Sequence, residues 1–361
     1  MPWFCEHPAN ASSSHRSGQA AAAAVAQARQ QIADMIDAQP GDVTFCSGAT
    51  ESCNLAIKGL LRAQLRQGKP VHIISSETEH RAVLDPLARL AREGASVDLV
   101  GVTPDGIVSP QSVIDRLGPD TSMVSIMLVN NEIGTINDVQ TIAEVCREHN
   151  ILVHCDASQA AGKCELHLPS LKVDLLSFCS HKMHGPKGVG VLVRSPHAQQ
   201  FPVESLIEGG GQEHGLRSGS LNVHGIVGFG AAAKLVQDER HSDCRRIGAL
   251  RDRLADIITT LDPSAVIHGF DAPRVPHILS ASIPSAPSGG IVDQLDPICC
   301  AGAAACGSAA NSPSHVLSSM GVDSCTAAAT IRLSLGRTST PQDVDAFEAR
   351  LTTILASKVC G

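Results

Sequence analysis

The residues most able to do chemistry sit in four short stretches. In Ser180-His181-Lys182-Met183-His184-Gly185-Pro186-Lys187-Gly188 a lysine stands between a histidine and a Gly-Pro turn, after the apolar run Val173 to Phe178. A lysine so placed can form a Schiff base with a carbonyl compound, or it can be a solvated lysine in a turn. In Asp156-Ala157-Ser158-Gln159 a carboxylate directly follows the apolar run Ile151 to Cys155. Such a carboxylate can pair with a protonated ring nitrogen, or cap a helix. Ser47-Gly48-Ala49-Thr50-Glu51 lies between a strand pattern and a helix pattern, where small residues and free N–H groups suit an anion as well as an ordinary N-cap. Ala303-Ala304-Ala305-Cys306-Gly307-Ser308 sets one thiol among tiny residues, which fits a nucleophile that must move or a buried structural cysteine. Cys299 and Cys300 lie in a more apolar stretch and read as core.

The elements that must position these groups alternate. Helix patterns over Gly18 to Ile36, Glu51 to Arg66, Arg81 to Glu93 and Val139 to His149 are interleaved with strand patterns at Val43 to Cys46, Val71 to Ser75, Val97 to Val100, Met123 to Leu128 and Ile151 to Cys155. Short apolar strands alternating with helices predict a mostly parallel sheet covered on both faces, with ligands bound beyond the carboxyl ends of the strands. Asp156 and Lys182 fall at two successive strand ends, a rarer combination than either residue alone. After Gly209-Gly210-Gly211 the pattern changes to helices over Val223 to Val236 and Asp243 to Leu261. A mixed segment follows, with strands near Val266 to His268, His277 to Ile283 and Thr330 to Ser334, and a last helix over Pro341 to Ala356. Residues 1–240 thus read as a large α/β domain and residues 241–361 as a smaller α+β domain carrying the Cys306 loop. The run Ala301 to Ala310 reads as a loop.

Composition narrows the function classes. The chain has 361 residues, 43% hydrophobic and 18% charged, with a formal net charge of −8. Lysine and arginine are scattered, so nothing points to nucleic acid or to an anionic membrane. No apolar run approaches membrane-spanning length, and Met1 to His15 carries no signal-peptide or transit pattern. A cytoplasmic protein is expected. The 13 cysteines form no CxxC pair, which fits free thiols in a reducing compartment and no metal site.

At these residues the chain resembles the class V aminotransferase superfamily, and within it the NifS/IscS-type (group I) cysteine desulfurases. The blocks SGATESCNLAIKG, TEHRAVL, VNNEIGTI, HCDASQAAGK, SHKMHGPKGVG, GGGQEHGLRSGS, SPSHVL and IRLSLGR occur in family order from about Asn10 to Ala356. The resemblance implies the fold type I architecture of pyridoxal-phosphate enzymes, with a mostly parallel seven-stranded sheet in the large domain. It implies that Lys182 carries pyridoxal 5'-phosphate, that Asp156 pairs with the pyridine nitrogen and Gln159 with the ring hydroxyl, and that His80 stacks on the ring and assists proton transfer. Ala49, Thr50 and His181 would hold the phosphate, with Ser220 reaching it from a second subunit of a homodimer. Asn131 and Arg332 would hold the substrate carboxylate. Cys306 falls on the catalytic cysteine, which would take sulfur from L-cysteine as a persulfide, leave L-alanine, and pass the sulfur to an acceptor protein for iron–sulfur cluster assembly or other thiolation.

The chain departs from the family pattern in three places. The family opens with an LDxxATTP-like strand, whereas here Met1-Pro2-Trp3-Phe4-Cys5 leads almost directly into Asn10-Ala11-Ser12-Ser13-Ser14-His15. The family's phosphate serine is replaced by Cys179, with Ser180 next to it as the candidate substitute. The loop GAAACGS partly resembles that of selenocysteine lyases. A selenocysteine lyase or a direct C–S lyase is therefore the alternative enzyme. A catalytically impaired paralogue acting as a binding partner is the alternative of another class.

Overall fold

The computed structural model describes residues 2–6, 8–286, 291–302 and 314–357. They form two compact units: Met1–Val100, Pro110–Leu128 and Asp138–Arg240 make the first, and Gly101–Ser109, Val129–Asn137 and His241–Gly361 the second.

The first unit is built on a seven-stranded sheet of β1 (Val43–Cys46), β2 (His72–Ser76), β3 (Ser96–Val100), β4 (Thr121–Ser125), β5 (Leu152–Asp156), β6 (Leu175–Cys179) and β7 (Gly190–Arg194), in the order β1-β7-β6-β5-β4-β2-β3. Pairing is parallel from β6 through β3, and β7 runs antiparallel to both β6 and β1. The mostly parallel seven-stranded sheet expected from the sequence is present. The sequence reading did not single out β7. Gly188-Val189-Gly190 looks like the tail of the lysine turn, yet Gly190–Arg194 is buried throughout. Only residues 180–189 separate β6 from β7, too few for the helical crossover a parallel neighbour requires, so β7 returns antiparallel.

Helices supply the layers on the sheet. Arg16–Ile36 buries Ala21, Val25, Ala28, Ile32 and Ile36, a stripe at three- and four-residue spacing. His15 Nδ1 accepts the Gly18 N–H at 3.2 Å at its start, and Asp37 ends it in the left-handed region (φ 54°). The helix that follows β1 runs from Ala49–Asn54 through a π turn at Leu55–Gly59 into Leu60–Arg66. Its Leu55, Ile57, Leu60 and Leu61 pack with Ile73 and Leu87 in one aliphatic core. Only 2% of the chain is aromatic. Phe178 of β6 meets Phe229 edge to face at 5.8 Å between ring centroids.

The second unit holds a four-stranded antiparallel sheet of β8 (Val266–Ile267), β9 (Ile278–Ser282), β10 (Ala301–Gly302) and β11 (Thr330–Ser334), in the order β10-β11-β9-β8. Its core gathers Leu254, Ile258, Leu279, Ile331, Phe347 and Leu351.

Three readings need correction. The two helices expected over Val223 to Val236 and Asp243 to Leu261 are one helix, Val223–Leu261. The charged run between them contains no proline or glycine, and its residues tolerate a helix. Ala301 and Gly302, read as loop, pair with β11, while residues 303–310 lie outside the described residues. Cys299, read as core, is exposed, and Cys300 is half-buried against the second core.

Candidate active site

The first unit carries most of the reactive side chains on turns leaving the strands. Asp156 closes β5 with its residue only 5% exposed. The Ser158 N–H and hydroxyl donate to its Oδ1 at 2.9 and 2.5 Å. Its Oδ2 has no hydrogen-bond partner among the described residues, so one oxygen of a buried carboxylate is left for a ligand. Behind it on the same strand, the fully buried His154 bridges to β4 and β6, with Nδ1 2.8 Å from Ser125 Oγ and Nε2 3.0 Å from Ser177 Oγ. Burial pushes the His154 imidazole down to about 3, so it is a neutral crosslink between three strands.

Beyond β6 the chain makes a tight 3-10 turn, Ser180–Met183, closed by His184 at φ 64° and by the Gly185 N–H donating to Ser180 O at 3.0 Å. This turn presents His181 and Lys182 to solvent. Burial, with the Lys182 and Lys187 charges nearby, holds the His181 imidazole below its ordinary value. Ser180 faces the other way. It is fully buried, its Oγ has no hydrogen-bond partner, and that oxygen lies 2.0 Å from where a Cβ on Gly185 would stand. Gln159 is half-buried in the turn after Asp156.

Beyond β1, Ser47 and Gly48 lead into the helix whose first residues are Ala49 and Thr50. The Ser47 N–H donates to Glu51 Oε2 at 2.7 Å, and Arg217 Nε donates to Glu51 Oε1 at 2.9 Å. The hydrogen bonds with Arg217 and Ser47 outweigh burial and hold the Glu51 carboxyl below its ordinary value. No side chain caps this helix, so its first N–H groups are open to a ligand. Ser220 ends the loop that carries Arg217. It is exposed, and Asn10 Nδ2 donates to its Oγ at 3.5 Å.

Beyond β2, His80 starts the helix Arg81–Arg92 and accepts the Ala82 N–H on Nδ1 at 3.0 Å. A neutral His80 therefore carries its proton on Nε2. Its neighbour Glu79 is fully buried and accepts the Met127 N–H at 2.6 Å, and burial pushes its carboxyl well up. Thr50, Asn54 and His80 line one cavity of about 300 Å³.

Asn131 and Arg332 belong to the second unit. Arg332, on β11, donates from Nη1 to the Asn131 carbonyl at 3.0 Å. Beside them Glu132 is buried and accepts the Ser314 hydroxyl at 2.5 Å. Burial pushes the Glu132 carboxyl up against the opposing pull of Ser314, His315 and Arg332. Cys306 lies outside the described residues. Among the described residues no three His, Cys, Asp or Glu side chains are placed to hold a metal ion, and no helix is long and apolar enough to cross a membrane.

Sequence reasoning passed over Glu79, His154 and Glu132. For His154 the signal was present, a polar residue inside the apolar run Ile151 to Cys155 that burial must satisfy, whereas Glu79 and Glu132 stand in polar stretches that give none.

A carboxylate ends β5, a lysine follows the adjacent β6, and the helix after β1 starts without a side-chain cap. The chain matches the aminotransferase class-V family over residues 2–347 and belongs to that family. Within it the chain is of the NifS/IscS kind. It is 42% identical to the cysteine desulfurase IscS of Serratia proteamaculans over 337 residues, 93% of this chain and 82% of that protein. It is 43% identical to the IscS of Pseudomonas putida over 352 residues, 97% of this chain and 84% of that protein. Among solved structures, a NifS-like protein superposes with a TM-score of 0.90 at 34% identity, covering 99% of this chain and 94% of that one. DndA from Streptomyces lividans superposes with a TM-score of 0.80 at 36% identity, covering 92% and 93%.

Proposed function

We propose that the protein is a pyridoxal-phosphate-dependent cysteine desulfurase that converts L-cysteine to L-alanine and places the sulfur on Cys306 as a persulfide. The observation that carries this reading is the pair of adjacent parallel strands β5 and β6, one ending in Asp156 with a free Oδ2 and the other leading into Lys182. The residues fit the cofactor: a buried carboxylate oxygen without a partner suits a protonated pyridine nitrogen, and an uncapped helix start suits a phosphate.

Bound at Lys182, pyridoxal phosphate supplies an electron sink for the substrate amino acid. In this reading the Asp156 carboxylate keeps the proton on the ring nitrogen, and Gln159 bonds the ring hydroxyl. Ala49, Thr50 and His181 hold the phosphate, joined by Ser220 of a second copy in a homodimer. His80 stacks on the ring with Nε2 as its working nitrogen, because Nδ1 is occupied by the helix cap. Lys182 Nζ moves the substrate's protons. Arg332 and Asn131 take the substrate carboxylate, Arg332 as a planar fork. The Cys306 thiolate attacks the substrate sulfur. The carbon–sulfur bond breaks, a sulfur–sulfur bond forms, and the electron pair left on the β-carbon takes up a proton to give alanine. L-Cysteine plus the Cys306 thiol thus becomes L-alanine plus the Cys306 persulfide, which passes to an acceptor protein for iron–sulfur cluster assembly or other thiolation.

Borohydride reduction of the cofactor-loaded protein, followed by peptide mapping, tests the core of this reading. The label is expected on Lys182, and a label on any other lysine contradicts it.

A further inference from the structure

A row of polar side chains crosses the largely aliphatic sheet just behind Asp156. Ser75 of β2, Ser125 of β4, His154 of β5 and Ser177 of β6 are all fully buried. Ser75 pairs in register with Ser125, and Ser125 with His154. Ser75 Oγ donates to the Ser125 carbonyl at 2.7 Å, and His154 Nδ1 lies 2.8 Å from Ser125 Oγ. The register partner of His154 on β6 is Leu175, yet its Nε2 reaches diagonally to Ser177 Oγ at 3.0 Å. Ser177 is the residue that pairs with Asp156. His154 and Asp156 stand two residues apart on one strand, so both side chains lie on the same face of the sheet. The imidazole therefore ties the strand that ends in Asp156 to the strand that leads into Lys182, one pleat behind the carboxylate. Aliphatic side chains could fill this space with no polar atoms to satisfy, whereas a fully paired buried network fixes one geometry.

We infer that His154 is a positioning residue: through Ser125 and Ser177 it holds the Asp156 carboxylate in line with the ring nitrogen of the cofactor. The inference rests on the pyridoxal phosphate reading above. A proton on the ring nitrogen is a positive charge, and it lowers the proton affinity of Lys182 Nζ once that atom is joined to the cofactor. When Asp156 drifts from the ring, this charge is held less well, and Nζ keeps its proton to higher pH. Glu79, Cys53, Cys155 and Cys179 are the other titratable side chains that feel the Asp156 charge, and burial pushes all four up, toward their neutral forms. Beside Lys182, burial and the lysine charge hold the His181 imidazole down, which also favours its neutral form.

The test is a pH titration of bound-cofactor absorbance in wild type, His154→Leu, His154→Gln, Ser177→Ala and Asp156→Asn, with melting temperatures measured alongside. His154→Leu is expected to raise the midpoint by about one pH unit, a tenfold change in proton affinity, in the same direction as Asp156→Asn. His154→Gln, which keeps a donor and an acceptor, lies closer to wild type, and Ser177→Ala shifts upward by less than His154→Leu. A role in folding alone lowers the melting temperature and leaves the midpoint in place, and that result for His154→Leu overturns the inference. So does a His154→Gln midpoint no nearer wild type than that of His154→Leu. If His154→Leu takes up no cofactor, Ser177→Ala decides: a raised midpoint supports the inference and an unmoved one overturns it. An unmoved midpoint in Asp156→Asn, or a wild type that binds no pyridoxal phosphate, removes the functional reading on which the inference stands.

Discussion

The loop from Gly209 to Ser220 depends on one buried carboxylate, and removing it gives a large, measurable effect. Glu213 has a side chain 3% exposed and a backbone held in the left-handed region at φ 49°, followed by His214 at φ 57° and Gly215 at φ 81°. Arg29 donates to both its oxygens, at 2.6 and 3.0 Å, and the buried Phe45 N–H donates to Oε2 at 2.8 Å. The Arg29 guanidinium also lies over the Phe45 ring, 4.6 Å from its centroid, and donates to the Val43 carbonyl. Glu213→Ala leaves a guanidinium and an amide without their acceptor, while the backbone strain remains. Breaking one side of a buried pair costs about 3–5 kcal/mol. The orphaned amide costs about 1–3 kcal/mol more, partly the same energy counted twice. A total of about 4 kcal/mol, at about 2–4 °C per kcal/mol for a unit of this size, lowers the melting temperature by about 8–16 °C. Glu213→Gln keeps an acceptor for Phe45 and falls between the two. Scanning calorimetry of the cofactor-free protein is the assay. A Glu213→Ala variant that melts within about 2 °C of wild type refutes the reasoning.

Other perturbations act on the site and on the surface. Arg332→Lys replaces the planar fork with a point charge, and steady-state kinetics should show KM for L-cysteine raised about tenfold or more. Asp156→Asn removes the charge that holds a proton on the ring nitrogen and should lower kcat by roughly 10–100-fold, with cofactor content measured alongside. Glu93 bonds Arg62 and Arg89, which hold its carboxyl down to about 2. Its folded value lies below its unfolded one, so its stabilisation is present above the ordinary carboxylate range and is lost as pH falls toward 2. In denaturant unfolding, Glu93→Gln should therefore be less stable than wild type by about 1 kcal/mol at neutral pH, with the difference closing near pH 2.

The parts of the molecule legible in the sequence are those governed by local patterns. β11 can be read to the residue because Thr330 to Ser334 alternates polar and apolar side chains. Asp156 can be placed at a strand end because the apolar run before it has no other reading in a parallel sheet. β7 is hidden because Gly190, which looks like part of a turn, is there for a close approach, visible only once Gly48 is packed against it. The facing of Ser180 is hidden for the same reason. Whether a hydroxyl after a strand points to a ligand or to Gly185 is decided by the turn's φ and ψ angles, not by composition. His154 shows the limit from the other side. Its polar character is plain in the sequence, but its two serine partners come from strands distant along the chain.

The most direct test of the central claim is alanine formation from L-cysteine by the cofactor-loaded protein, measured for wild type, Cys306→Ala and Lys182→Ala with a thiol reductant present. The account predicts that wild type forms alanine with a matching amount of sulfide, released as the thiol reductant cleaves the Cys306 persulfide, and that both variants form none. Alanine produced by Cys306→Ala at the wild-type rate would contradict it.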